Sequence, residues 1–267
     1  MKVAVAGKGG VGKTTLAGTL ARLLGRDGLK ILAVDADPSY TLWSALGISK
    51  DVADKIIPLT ENETLLDERL KVKGAESLSG IFKLNPRVDD LAGKYAVKGP
   101  DNVSLLVAGT VEIGGSGCMC PSANLLKTLM RYLVLGTDEA FVMDMDAGIE
   151  NLGRGTTRGM DALVVVTEPG RRSLQILRKI RELAADIDIG TVYAVGNKVD
   201  GPEDESMIRN ALQEEGIPLL GNIPLDEEIK EADRKGVAPL DLNPESEGMR
   251  AIREIKKQLV LKKQAVA

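Results

Sequence analysis

Two rhythms of apolar and polar positions alternate along this chain. Short unbroken apolar runs at Val3–Ala6, Ile31–Val34 and Ala162–Thr167 are of strand length and have no polar side, which predicts strands buried on both faces. Asn102–Val107, Glu139–Met143 and Thr191–Val195 read as further strands. Between them lie stretches with helical spacing. In Thr14–Leu24 the apolar residues Leu16, Leu20, Leu23 and Leu24 fall on one side. Asn124–Leu133, Arg171–Ala185, Asp204–Glu215 and Glu245–Lys262 are predicted helices of the same kind. Strands alternating with helices predict an α/β fold: a mostly parallel, twisted sheet flanked by helices on both faces, as one domain over residues 1–267.

Two stretches break this rhythm. Asp51–Asp101 is mixed, polar and rich in Gly and Pro, and is expected to be an irregular excursion. Gly109–Pro121 is glycine-rich and holds both cysteines, Cys118 and Cys120. Surface segments of this kind often carry function.

Composition narrows the chemistry. The chain is 43% hydrophobic and 28% charged, as in globular proteins. Its apolar runs are far short of a membrane span, and its start lacks a signal-peptide pattern, so the expected location is cytoplasmic. A net charge of -4 argues against nucleic acid as a main partner. Histidine is absent. Any transition-metal site must therefore use thiolates and carboxylates. The two cysteines are one residue apart, a poor arrangement for a disulfide that staples a fold.

The most informative motif follows the first strand. Gly7, Gly12, Lys13 and Thr14 match G-x-x-x-x-G-K-[ST], between an apolar run and an amphipathic helix. Glycines let the backbone curl so that N–H groups of Gly9, Gly10, Val11, Gly12, Lys13, Thr14 and Thr15 face phosphate oxygens, helped by the positive helix end. Lys13 is expected to reach the β- and γ-phosphates, and Thr14 to coordinate Mg²⁺. The chain therefore reads as a nucleotide-hydrolysing P-loop enzyme.

The run GKGGVGKTT, with a second lysine at Lys8, resembles the deviant Walker A loop of the ATPase family containing MinD, ParA and the nitrogenase iron protein. That resemblance implies a homodimer closing around two ATP molecules, with Lys8 crossing to the partner's nucleotide and joining Lys13 in catalysis. It also assigns the acidic pairs at two strand ends. Asp37, in VDADPS, is expected in switch I, orienting the attacking water, with Asp35 near the Mg²⁺ shell. Asp144, in FVMDMDAGIE, is expected to hold a Mg²⁺-bound water, and Gly148 to sense the γ-phosphate; Asp146 completes that pair. Asn197 and Lys198 begin NKVD, which alone is a guanine signature. The longer loop motif favours adenine, with Asn197 at the base edge and Asn222–Asp226, including Pro224 and Asp226, beside the purine.

The cysteine pair adds a further expectation. A bare CxC is a weak motif. Cys118-Met119-Cys120-Pro121 nevertheless lies in a glycine-rich loop before a predicted helix, whose N-terminus lowers thiol pKa. Two thiolates from each of two subunits make a four-sulfur site. With these cysteines, the whole chain resembles CooC-type accessory ATPases of carbon monoxide dehydrogenase maturation. The implied activity is ATP-dependent delivery of Ni²⁺ to that client enzyme, by a homodimer that depends on nucleotide and metal. Zn²⁺ stays open as the metal. Two other readings stay open. One is a MinD- or ParA-type positioning or partition ATPase, for which the basic, apolar stretch Met249–Lys263 could lie on a membrane. The other is an iron–sulfur redox protein. The Met249–Lys263 stretch is expected instead to pack on the sheet, without stable membrane association.

Overall fold

In a computed structural model describing residues 1–70, 90–109, 136–145, 160–186, 189 and 191–266, the apolar runs become strands of one sheet. These are β1 (Lys2–Gly7), β2 (Lys30–Ala36), β3 (Val97–Lys98), β4 (Val103–Val107), β5 (Glu139–Met145), β6 (Ala162–Thr167), β7 (Thr191–Val199) and β8 (Leu219–Pro224). Their order across the sheet is β3-β4-β2-β5-β1-β6-β7-β8. Every neighbouring pair is parallel except β3 with β4, so the α/β class and mostly parallel sheet are as expected.

The unbroken apolar runs follow from helices on both faces. In β1, Val3 and Val5 point to one side and Ala4 and Ala6 to the other, and all four are buried. The first side packs on α1 (Lys13–Arg26) through Leu16 and Leu20, and on the C-terminal helix through Ile252 and Ile255. The second side packs on α3 (Ile176–Asp186) through Leu177 and Ile180, and on α4 (Pro202–Glu215) through Ile208 and Leu212. The helix α2 (Glu63–Leu70) follows the turn Leu59–Glu61. After β8 come α5 (Glu227–Lys235) and α6 (Glu247–Val266).

Several boundaries differ from expectation. Among the described residues of the 51–101 excursion are α2, the helix Leu91–Tyr95 and β3, while residues 71–89 lie outside the described residues. β4 begins at Val103 because Asp101 and Asn102 form a left-handed turn, with φ of 55° and 59°. The helix expected over Arg171–Ala185 is interrupted at Gln175. The helix expected at Asn124–Leu133 lies outside the described residues.

One buried cation fastens α1 to its surroundings. Arg22, 3% exposed, donates through Nε to Asp101 at 2.7 Å, and through Nη1 and Nη2 to the Asp241 carboxylate at 2.7 and 2.8 Å. It thereby joins α1 to the turn before β4 and to the helical turn Pro239–Leu242. Arg22→Ala removes three charge-assisted bonds, although the acids keep partial access to water. The expected loss is about 2–3 kcal/mol of unfolding free energy, seen as a lower urea midpoint for the nucleotide-free protein.

Candidate functional site

The sheet register brings the expected site together at the carboxyl ends of its central strands. Asp144 of β5 is in register with Asp35 of β2 on one side and Val5 of β1 on the other. The phosphate loop leaves β1 at Gly7, whose φ is 147°. A Cβ there would lie 2.4 Å from the Val166 carbonyl oxygen of β6, so the neighbouring backbone itself requires glycine. The loop ends at Gly12 (φ 94°), where a Cβ would meet the Asn197 side-chain nitrogen at 2.3 Å.

Gly12 is the N-cap of α1, with no side-chain capping bond and no acidic residue in the first turn. An ordinary helix start here is α5: the Asp226 carboxylate accepts from Glu228 and Ile229 N–H groups, and Glu227 and Glu228 occupy the first turn. The open, uncompensated start of α1 is suited to an anion. Lys13, 6% exposed, lies inside the loop, its Nζ donating to the Lys8 carbonyl at 3.3 Å.

Beside the loop, the Thr14 hydroxyl donates to Asp144 Oδ2 at 2.6 Å. Asp144 Oδ1 is buried with no hydrogen-bond partner among the described residues. Burial pushes this carboxyl up to about 8; the Thr14 bond opposes that shift and the Asp35 charge adds to it. Asp35 is also fully buried. Its two oxygens accept from the backbone N–H groups of Asp37 (3.1 Å) and Leu42 (2.9 Å). Burial lifts its carboxyl to about 6 against those two bonds. Asp37 Oδ1 in turn accepts from the Ser39 N–H and hydroxyl. A hydroxyl, an orphaned carboxylate oxygen and a second buried acid fit a hard dication bound with phosphate, for which oxygen ligands are required.

The far side of the loop is held by β7. Asn197 Nδ2 donates to the Val11 carbonyl at 2.7 Å, and Lys198 Nζ to the Gly10 carbonyl at 2.7 Å. Lys198 Nζ also lies 3.3 Å from Glu168 Oε2. Glu168, which follows β6, is a site residue that sequence reading missed. It has no motif, and only its place at a strand's carboxyl end marks it. Pro224 ends β8 in register with Val199 of β7. The Asp226 carboxylate also accepts from Gly248 N–H at 2.8 Å, tying α5 to the start of α6. Asp146, Gly148, Cys118, Cys120 and the 110–121 part of the CxC loop lie outside the described residues.

The basic C-terminal helix packs on the sheet, as expected. Met249, Ile252, Ile255 and Leu259 are buried in the core. Lys256 and Lys263 pair with Asp27 (2.6 Å) and Asp161 (2.9 Å). Among the described residues no helix is long and apolar enough to cross a membrane.

Comparison with known proteins agrees with this geometry. Residues 2–240 match the family model of the CobQ/CobB/MinD/ParA nucleotide binding domain. The chain is 42% identical to the carbon monoxide dehydrogenase accessory protein CooC of Rhodospirillum rubrum, over 91% of each chain. It is 40% identical to an uncharacterized ATP-binding protein of Methanocaldococcus jannaschii, over 96% of this chain and 95% of that one. The septum site-determining protein MinD of Pyrococcus horikoshii, complexed with Mg-ADP, shares the fold with a TM-score of 0.68 at 21% identity, over 97% of this chain and 95% of that one. Its uncapped phosphate loop, its paired acids and these full-length similarities place the chain in the CobQ/CobB/MinD/ParA nucleotide-binding family, as an ATPase.

Proposed function

We propose that this protein is an ATP-driven metallochaperone that assists nickel insertion into carbon monoxide dehydrogenase. The observation that carries the proposal is the full-length similarity to an accessory protein of that enzyme, in a chain whose two cysteines form one CxC. In this reading Cys118 and Cys120 of two subunits hold one metal ion between them, Ni²⁺ or Zn²⁺ by thiolate chemistry. That ion is cargo. The protein acts in the cytoplasm, without nucleic acid.

The chain's own residues divide the ATPase work. Backbone N–H groups from Gly9 to Thr15 cradle the phosphates, and Lys13 neutralises them from inside the loop. Lys8 reaches the partner subunit's nucleotide. Asp37 orients the attacking water, and Gly148 reports the γ-phosphate. The base lies by Pro224 and Asp226, with Asn197 at its edge and Lys198 beside it. Thr14 and Asp144, with Asp35 behind them, would hold Mg²⁺, which supplies charge neutralisation to the phosphates when bound. Closure around two nucleotides forms the thiolate site, so metal and nucleotide binding are coupled.

Metal titration of the reduced protein, with and without ATP and alongside sizing, tests this. About one Ni²⁺ or Zn²⁺ per dimer is expected, tighter with ATP, and lost in Cys118→Ser or Cys120→Ser while ATP binding is kept. One metal per monomer, or binding indifferent to these cysteines, would sink the shared site.

A further inference from the structure

The end of β7 does more than border the nucleotide site. We propose that Lys198 is a positioning residue for the phosphate loop: it turns the Gly10–Val11 peptide so that its N–H faces the phosphates. The inference rests on nucleotide binding by the loop and is independent of the metal reading.

A trans peptide points its C=O and N–H in opposite directions. Fixing one fixes the other. Lys198 Nζ holds the Gly10 oxygen at 2.7 Å, which sets the direction of the Val11 N–H. Asn197 Nδ2 holds the Val11 oxygen at 2.7 Å, which sets the Gly12 N–H in the same way. The Val11 N–H is directed at the Lys8 carbonyl, 3.5 Å away. Lys13 Nζ donates to that same oxygen at 3.3 Å. A backbone donor and the loop's buried cation thus converge on one acceptor, and both contacts are long. An anionic phosphate oxygen would be a better partner for both donors than this neutral carbonyl.

The lysine is itself held in an unusual conformation for this purpose. Its φ is 56°, left-handed backbone that a residue with a Cβ seldom adopts. The Lys198 N–H donates to Asn197 Oδ1 at 2.9 Å, which fastens that turn. Glu168 Oε2, 3.3 Å from Nζ, faces the ammonium from the end of β6. Both charged groups are partly exposed, with side chains 43% and 33% accessible, so this ion pair alone is weak. The Gly10 bond is the consequential one, because Gly10 (φ 78°) has no Cβ to limit its peptide and lies in a loop closed by glycines.

Two simpler roles compete: a solvated surface lysine, or a side chain that contacts the base directly. A ligand with phosphates and no base separates all three. Full-length wild type, Lys198→Met and Lys198→Arg are titrated calorimetrically with magnesium tripolyphosphate and with MgATP. We expect Lys198→Met to weaken both ligands by the same factor, about tenfold. We expect Lys198→Arg to recover most of that loss, and the nucleotide-free thermal midpoint to stay unchanged. Glu168→Gln, which leaves the Gly10 bond in place, is expected to cost less than Lys198→Met. Weakening of MgATP alone would overturn the proposal in favour of base contact. Unchanged affinity for both ligands, or a larger loss from Glu168→Gln than from Lys198→Met, would overturn it as well.

Discussion

Lys8→Ala is expected to lower ATP turnover by about 10³-fold while leaving MgATP affinity within a few-fold of wild type. Lys13→Ala is expected to lose both. The two lysines are five positions apart but differently placed. Lys13 is buried in the loop, with its ammonium against the Lys8 carbonyl, a placement suited to the nucleotide of its own subunit in the proposed dimer. Lys8 is half-buried, and among the described residues no carboxylate pairs with its ammonium. A cation that acts only on the transferring phosphoryl group lowers the barrier without adding to ground-state affinity. Phosphate release by the single variants and by their mixture decides the point. In a mixed dimer, the Lys13→Ala subunit supplies an intact Lys8 to the nucleotide bound by the Lys8→Ala subunit. Activity should therefore return on mixing. A mixture that forms heterodimers and stays inactive would place Lys8 on its own subunit's nucleotide.

How much of this was legible beforehand depended on how strongly burial constrains each segment. β1, β2, β5 and β6 are covered on both faces, so their apolar runs are continuous and easily read. β8 is an edge strand with the sequence LLGNIP, in which only Leu220 and Ile223 are buried. Its glycine, asparagine and proline break the apolar pattern, so the sequence carries no strand signal there. The phosphate loop was legible because its spacing is dictated by backbone geometry at Gly7 and Gly12. The meeting of Asp35 with Asp144 was only half legible. Each residue marks a strand end, but their adjacency depends on β2 and β5 pairing in register, a non-local fact. Glu168 and the two β7 bonds to the loop carbonyls had no pattern at all. They arise from strands β6 and β7 lying side by side on one flank of β1.

Asp144→Asn is expected to remove Mg²⁺-dependent ATP hydrolysis, by at least about 10²-fold, and yet to stabilise the metal-free, nucleotide-free protein at alkaline pH. The sign follows from the direction of the shift. Burial raises the Asp144 carboxyl from 3.8 to about 8 in the folded protein. Its contribution to stability is therefore fully present below pH 3.8 and is lost as pH rises through about 8. Asp35, lifted to about 6 by burial, runs in the same direction over a lower window. The Met1 amine runs the opposite way: burial and Lys263 lower it from 8.0 to about 6, so its contribution grows as pH rises between those values. The raw melting curve of the wild type mixes these terms, and the difference between wild type and Asp144→Asn isolates one of them. Melting in chelator from pH 5.5 to 8.5 should show the variant gaining on wild type by several degrees as pH rises. A difference independent of pH would mean that Asp144 stays ionised in the empty site. If Asp144 holds Mg²⁺ as proposed, binding of Mg²⁺ with nucleotide would displace a proton from this carboxyl near neutral pH, because a nearby dication favours the charged form. Calorimetric binding enthalpy should accordingly depend on the ionisation enthalpy of the buffer in wild type and lose that dependence in Asp144→Asn.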